Sequence, residues 1–168
     1  MGRSADDQLE QMYAAHYRTL VRLAVLLVRD VGTAEEVVQD SFVAMHGRFS
    51  RLREPDLALA YLRQTVVNRS RSVLRHRGVE DRYADRLVTV DGHLPGADEH
   101  AVASERRTAV LDALRGLPER QREVLALRYY LDLSEAEIAR TLGISQGAVK
   151  SHASRGVAAL RTRMEDVS

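Results

Sequence analysis

The segment LSEAEIARTLGISQGAVKSHASRGVAAL, from Leu133 to Leu160, decides the fold of this chain. Its apolar residues keep helical spacing on both sides of Gly143, which predicts a short helix, a turn and a longer helix. A glycine at that position can adopt the left-handed conformation that ends a helix. Ser145 can then accept a hydrogen bond from a free amide of the next turn and start a helix that runs to about Arg163. Two helices joined by so short a turn form a helix-turn-helix.

The second of these helices leaves a polar and basic face outside. With its apolar residues turned inward, no acid remains between Ile144 and Met164. Such side chains can donate to phosphates and base edges, so the face is predicted to bind the major groove of DNA. The alternative is an amphipathic helix with an ordinary solvated basic face, and the agreement of turn, cap and short helix favours DNA binding. The predicted DNA-binding residues are Gln146, Lys150, Ser151, Ser154 and Arg155.

The composition bounds the class of protein. The chain has 168 residues, 45% of them hydrophobic and 29% charged, which is typical of one ordinary globular domain or two small ones. It contains no cysteine, which excludes disulfides and thiolate metal sites. The N-terminus lacks the apolar core of a signal peptide, and no apolar run approaches membrane-spanning length. We therefore expect a cytoplasmic protein without membrane insertion.

The charges are sorted into blocks, although the net charge is only +1. The chain carries several arginines and no acid between Leu57 and Val79, and several acids and no base between Asp30 and Asp40. Arginines and polar donors beside Tyr61 are suited to gripping a phosphate backbone and stacking exposed bases. A single tyrosine at helical spacing, however, more often packs in a core or at its rim. These acids either stabilise the N-terminus of their own helix through its dipole or form a docking face for a partner.

The rest of the chain is also predicted to be helical. One helix, or two with a bend, covers about Asp7 to Arg29, with Asp6 or Asp7 as its cap. A second helix starts at Thr33 and has Glu36 in the capping-box position. A third follows the loop Phe49–Asp56 and starts at Leu57.

Residues Gly78–Ser104 lose helical periodicity and indicate an acidic, mobile linker with a turn of helix near Arg82 to Val88. Helical spacing then returns, and Pro118 opens a further helix. No period-two pattern proposes a strand. The sequence predicts an all-α protein with two small helical domains joined by a flexible linker, the C-terminal one a helix-turn-helix.

Motifs of catalysis are missing from the sequence. It contains no phosphate-binding glycine loop, no HExxH and no GxSxG, and its six histidines lack metal-ligand spacing. We therefore expect no enzymatic activity, no cofactor and no metal.

Four segments together resemble, in order, the conserved regions of the extracytoplasmic-function (ECF) sigma factors of bacterial RNA polymerase. They are AEEVVQDSFVAM, YLRQTVVNRSRSVLRHR, LPERQREVLALRYYLDLSEAEIARTLGIS and QGAVKSHASRGVAAL. The C-terminal segments alone would also suit a LuxR-like response-regulator domain. The resemblance implies that residues 1–77 form a region 2-like domain for polymerase core and the minus-ten element. It makes residues 78–104 the linker and residues 105–168 a region 4-like domain for the minus-thirty-five element.

The resemblance also assigns residues to partners. The largest-subunit clamp helices of the polymerase core would be contacted by Glu35, Glu36, Val38, Gln39, Asp40 and Phe42. The minus-ten element would be read by Tyr61, Asn68, Arg69, Arg71, Ser72 and Arg75, with help from the loop Phe49–Arg53. The last helix would read the minus-thirty-five element. The family commonly has a tryptophan where this chain has Tyr61, and its members are often held inactive by an anti-sigma protein, which we expect here.

The expected function is therefore promoter-specific transcription initiation by a sigma factor. One alternative is a helix-turn-helix transcriptional regulator whose N-terminal helical domain dimerises or binds a ligand. Another is a helical adaptor whose arginine block binds acidic protein surfaces.

Overall fold

The computed structural model describes residues 4–48, 54–81 and 101–166 of the chain. These ranges hold seven α-helices and no strand, which confirms the predicted all-α class. The predicted loop Phe49–Arg53 and the predicted helical turn near Arg82 to Val88 lie outside the described residues. In the described part of the chain, no helix has the length and apolar content to cross a bilayer. The helices are α1 (Ala5–Val28), α2 (Val31–His46), α3 (Pro55–Asp81), α4 (Ala101–Arg115), α5 (Glu119–Leu125), α6 (Glu135–Leu142) and α7 (Gln146–Glu165).

Three helix starts differ from the sequence prediction. Helix α3 begins at Pro55, two residues before the predicted Leu57, so the predicted loop Phe49–Asp56 is shorter at its C-terminal end. The cap of α1 is Ser4, whose hydroxyl accepts a hydrogen bond from the Asp7 amide at 3.2 Å, so the predicted aspartate cap was wrong. Helix α2 begins at Val31 with Asp30 as its N-cap, two residues before the predicted start. The Thr33 hydroxyl donates to the Asp30 carboxylate, so it holds the cap residue instead of serving as the cap.

Helices extend into both ends of the predicted linker, residues 78–104. Helix α3 continues to Asp81 and α4 begins at Ala101, so residues 78–81 and 101–104 are helical.

The helix-turn-helix is formed as predicted. Gly143 has a φ of 68° and ends α6, and its amide bonds the Ala139 carbonyl. The Ser145 hydroxyl accepts from the Ala148 amide at 3.1 Å and caps α7. Helix α6 is capped in the same way by Ser134, which accepts from the Glu137 amide at 3.1 Å.

Helix α5 does not end cleanly at its C-terminus. It widens into a π-helical turn, Ala126–Tyr130, in which the Leu131 amide bonds the Ala126 carbonyl five residues back at 3.4 Å. Asp132, with a φ of 55°, then turns the chain towards α6. This widened turn connects α5 to the helix-turn-helix.

A buried arginine closes the connection between α4 and α5. The guanidinium of Arg122 donates to the carbonyls of Leu114, Arg115 and Leu117 at 2.9 to 3.0 Å. These carbonyls lie at the end of α4 or just beyond it, and the Leu114 carbonyl also accepts from the Leu117 amide at 3.0 Å. Burial lowers the pKa of Arg122 from its ordinary value, and the three carbonyls supply the acceptors that the buried cation needs.

The two predicted domains pack against each other through apolar side chains. One cluster of buried residues includes Leu20 and Leu23 of α1, Leu62 of α3, and Leu127 and Ile138 from the C-terminal half. Helix α1 contacts α4 and the π-helical turn, and α3 contacts α6. The sequence predicted two helical units but not this shared core.

Gly156 allows α7 to approach α5 closely. A Cβ atom at Gly156 would lie 3.1 Å from both Cγ and Cδ1 of Leu125 and 3.4 Å from Cβ of Gln121. We expect Gly156→Val to lower the free energy of unfolding by about 1–3 kcal/mol, because the added methyl groups have no room.

Urea unfolding followed by circular dichroism measures that loss. Gly147→Ala on the same helix is the control: its new Cβ meets only the Ser145 hydroxyl at 3.9 Å, so stability should hold or rise by up to about 1 kcal/mol. Equal midpoints for wild type and Gly156→Val would show that the contact is not tight.

Candidate nucleic-acid interface

Helix α7 presents the predicted DNA-binding face to solvent. Its orientation is set by Val149, which is fully buried, and by the cap at Ser145. All five predicted side chains on the outer face are exposed, namely Gln146, Lys150, Ser151, Ser154 and Arg155. The Lys150 ammonium lies 3.8 Å from the Glu135 carboxylate but stays 68% exposed, so this pair is weak and easily exchanged for a phosphate.

The basic block of α3 is divided among several environments. Of the predicted minus-ten residues, Asn68, Arg69, Ser72 and Arg75 are exposed, whereas Tyr61 and Arg71 are partly buried. Tyr61 packs against the shared core, and the Arg48 guanidinium carbon lies 5.8 Å from the centre of its ring. The tyrosine thus lies at the rim of the core, with a cation over one face.

Arg77, at the far end of the same block, has a structural role. Its guanidinium donates to the Asp30 carboxylate at 3.0 Å and to the Thr33 hydroxyl. The hydrogen bond from Thr33, with help from Arg77, lowers the pKa of Asp30 below its usual range. The cluster ties the C-terminal part of α3 to the start of α2.

Arg71 is engaged by the C-terminal half of the chain. Its Nε and one terminal nitrogen donate to the two carboxylate oxygens of Glu123 at 3.0 and 2.9 Å. The side chains are 15% and 3% exposed respectively, which makes this a buried bidentate pair. The hydrogen bonds to Glu123 raise the pKa of Arg71 by more than burial lowers it. Arg75, one turn further on, lies 3.5 Å from Glu119.

The predicted polymerase-binding residues of α2 fall into two groups. Glu35, Glu36, Gln39 and Asp40 are exposed, and no base lies between Asp30 and Asp40 in the sequence. Val38 and Phe42 are 0% and 5% exposed, so they pack in the core and do not reach the surface. Only the resemblance assigned them to the docking face, whereas their helical spacing with Ala34 and Met45 fits an inward-facing apolar stripe.

An aromatic patch beside this face was not predicted. Tyr13 stacks on Tyr17 with ring centres 4.6 Å apart, and it also contacts Phe42 at 5.0 Å. Tyr13 remains 41% exposed and the neighbouring Val43 72% exposed. The spacing of four between the tyrosines was the signal available in the sequence, since such residues meet on one face of a helix.

A histidine lies close to the basic block on the α1 side. Burial lowers the pKa of His16, and the nearby charge of Arg63 lowers it further. A metal-like grouping of three or more His, Asp or Glu side chains is absent from the described part of the chain.

Two family models match the chain. The model for Sigma-70 region 2 matches residues 12–79, and the model for Sigma-70, region 4 matches residues 107–160. The first match includes α2 and most of α3, and the second includes the whole helix-turn-helix up to Leu160.

Individual relatives agree with these matches. The RNA polymerase sigma-E factor of Streptomyces avermitilis is 32% identical over 160 residues, which cover 94% of this chain and 86% of that protein. The ECF RNA polymerase sigma factor SigM of Mycobacterium tuberculosis is 31% identical over 151 residues, or 90% and 74% of the two chains. The probable RNA polymerase sigma factor RfaY of Xanthomonas campestris is 30% identical, and this chain spans 40% of its length.

The fold itself is shared with a solved structure. The sigma factor RpoE of Bartonella quintana, crystallised with the anti-sigma factor NepR, superposes with a TM-score of 0.76 at 22% sequence identity. The superposition covers 94% of this chain and 97% of that one.

Proposed function

The chain belongs to the ECF group of the sigma-70 family of RNA polymerase sigma factors, and from this premise we propose that it binds polymerase core and directs it to specific promoters. The observation that carries the proposal is the exposed, acid-free face of α7, held outward by the cap at Ser145 and the buried Val149. That face fits the major groove at a minus-thirty-five element. Its residues would be Gln146, Lys150, Ser151, Ser154 and Arg155.

We assign the two elements of the promoter to different parts of the chain. Residues 1–77 would bind core and the minus-ten element, residues 105–168 would bind the minus-thirty-five element, and residues 78–104 would connect them. On α3, exposed Asn68, Arg69, Ser72 and Arg75 can meet the melted strand directly, with Tyr61 and Arg71 behind them. Arginine and aromatic side chains suit phosphates and unstacked bases.

The proposed mechanism is binding without catalysis. Unpaired bases captured by the protein recover part of the free energy spent on opening the duplex. No covalent step is needed, and no side chain has to act as an acid, base or nucleophile. Polymerase and promoter DNA place this action in the cytoplasm.

The exposed acids of α2 are the proposed contact with the clamp helices of the largest polymerase subunit. Glu35, Glu36, Gln39 and Asp40 are available to a partner in the structure. Val38 and Phe42 would act indirectly, by packing α2 against the hydrophobic core of this protein. An anti-sigma protein is a further proposed partner, as in the crystallised RpoE complex.

Run-off transcription with purified, sigma-free core polymerase tests the function. With templates drawn from a genomic library, we expect transcripts that start at defined sites only when this protein is added. A plain helix-turn-helix regulator would bind DNA but would not make core start at a site. Absence of both a core complex and defined transcripts would overturn the proposal.

The α7 face can be tested by charge reversal. We expect Lys150→Glu with Arg155→Glu to weaken binding to promoter duplex at least about thirtyfold, since each lost contact costs roughly 1–3 kcal/mol. Electrophoretic mobility shift with duplex recovered from the run-off assay measures this, and co-purification with core should be unchanged. Arg106→Glu with Arg107→Glu on exposed α4 is the control with the same change in charge. Loss of core binding in the first variant would contradict the division of roles.

The α2 face should show the opposite behaviour. We expect Glu35→Lys with Glu36→Lys to weaken association with core at least about tenfold, because the reversal opposes a complementary partner surface. Binding of the duplex by α7 should persist. Surface plasmon resonance on immobilised core provides the measurement, and Glu105→Lys with Asp166→Lys in the C-terminal half is the matched control. Unchanged core affinity would remove α2 from the interface.

A further inference from the structure

An acid from the first helix of the helix-turn-helix reaches the DNA-binding face of α7. Glu135 lies in the first turn of α6, and its Oε2 atom is 3.8 Å from the Lys150 ammonium. The sequence has no acid between Ile144 and Met164, so α7 itself supplies no such partner. The pair therefore exists only because the turn at Gly143 brings the two helices together.

A second cation holds the same carboxylate from its other side. The Oε1 atom of Glu135 lies 3.5 Å from a terminal nitrogen of Arg128, which belongs to the π-helical turn Ala126–Tyr130. The guanidinium carbon of Arg128 in turn lies 5.9 Å from the ring centre of Tyr129. The side chains of Glu135 and Arg128 are 30% and 39% exposed, whereas that of Lys150 is 68% exposed. Glu135 is thus the better-fixed member of its pair with Lys150, and Lys150 is the mobile one.

A carboxylate at this position opposes the binding of DNA. It repels phosphates, and an ammonium that is paired with an acid binds a phosphate less tightly. An exposed ion pair is weak, so this one adds little to the stability of the fold and does not prevent binding. Its main effect is on the choice that Lys150 makes among acceptors on DNA.

We propose that Glu135 is a specificity-determining residue, which restricts the direction of Lys150 and so favours a base edge over the phosphate backbone. The inference rests on the proposed binding of the minus-thirty-five element by α7. An ammonium has three N–H donors, so one can go to Glu135 while two remain for DNA. Without that partner, a lysine is a flexible point charge that binds whichever phosphate is nearest.

The pair with Glu135 acts in opposite directions on the two kinds of DNA. On the promoter, Lys150 is already partly ordered, so less side-chain entropy is lost when it donates to acceptors on a base edge. On unrelated DNA those acceptors are absent at that position, and the carboxylate repels the phosphates that remain. Specificity is the difference between the two affinities, and both effects increase it.

A purely electrostatic role of the carboxylate predicts a different result. In that case an acid at this edge of the helix-turn-helix weakens binding to all duplexes equally, whatever Lys150 does. Asp132 supplies the matched control, because it is exposed and lines the same surface cleft as Arg128 and Glu135. Its φ of 55° suits asparagine, so Asp132→Asn removes the same charge without straining the backbone.

Fluorescence anisotropy with two fluorescein-labelled duplexes measures the discrimination. One duplex carries the minus-thirty-five element recovered from the run-off assay, and the other has this element scrambled. We expect Glu135→Gln to tighten binding to the scrambled duplex about fivefold and to weaken binding to the promoter duplex about twofold, so that the ratio of affinities falls about tenfold. Asp132→Asn should keep the wild-type ratio. A wild-type ratio in Glu135→Gln, or an equal fall in both variants, would overturn the proposal.

Two further variants separate the ion pair from the charge alone. Glu135→Asp keeps the charge on a side chain that is shorter by one methylene, so it should lower the ratio, whereas a charge effect leaves the ratio unchanged. With Lys150→Gln as the background, Glu135→Gln should no longer alter the ratio, because the two residues act as one unit. A fall that persists without Lys150 would contradict the role of the pair.

The salt dependence of binding reports where the freed ammonium goes. On the scrambled duplex, Lys150 should neutralise an additional phosphate in Glu135→Gln, which steepens the slope of log affinity against log salt by up to about 0.9. On the promoter duplex the slope should stay the same. An unchanged slope on the scrambled duplex would show that Lys150 does not move to a phosphate, and the proposed mechanism would then be wrong.

Failure of this inference is distinct from failure of the proposed function. If wild type binds the two duplexes equally, α7 does not read the element, and the proposed minus-thirty-five role is overturned together with this inference. If wild type discriminates and Glu135→Gln discriminates equally well, only this inference is overturned. Circular dichroism checks that each variant is folded. Glu135→Asp keeps an acid in the first turn of α6, where it favours the helix, and it gives the same test if the glutamine variant unfolds.

Discussion

The turn at Gly143 fixes the direction of α7, and the assignment of a DNA-binding face depends on that direction. The positive φ of the glycine ends α6 within one residue, and Ser145 starts α7 two residues later. The second helix then has one rotation in which Val149 is buried, and this rotation puts the basic and polar side chains outside. A longer turn would not fix the direction of α7, so the side of the helix that could face a DNA groove would be undetermined.

Local signals of this kind were readable from the sequence because a few neighbouring residues determine them. The cap at Ser145 and the conformation of Gly143 depend on groups within four residues. The start of α1 was missed for the same local reason, since Ser4 and the aspartates after it are all good caps and the sequence does not rank them. Gly156 is different, because its importance comes from Leu125 on another helix.

The arginines of α3 show where sequence reasoning about a site reaches its limit. Spacing and the absence of acids indicated one basic surface. In the structure, Arg77 instead donates to Asp30, the N-cap of α2, and Arg71 donates to the buried carboxylate of Glu123. Arg69 is exposed to solvent. The partners of Arg71 and Arg77 lie 44 to 52 positions away along the chain, and no periodic pattern reports a contact at that separation.

The π-helical turn Ala126–Tyr130 sets the orientation of the helix-turn-helix, α6 and α7, relative to α5. A regular α-helix advances about 100° per residue, so one extra residue in the turn shifts the angular phase of everything that follows it. The phase offset lets α5 keep Glu123 facing Arg71 while α6 and α7 start from a different bearing. Removing one residue there would rotate α6 and α7 by about 100° relative to α5. Each helix would keep its own sequence, but the proposed DNA-binding face of α7 would point in a different direction.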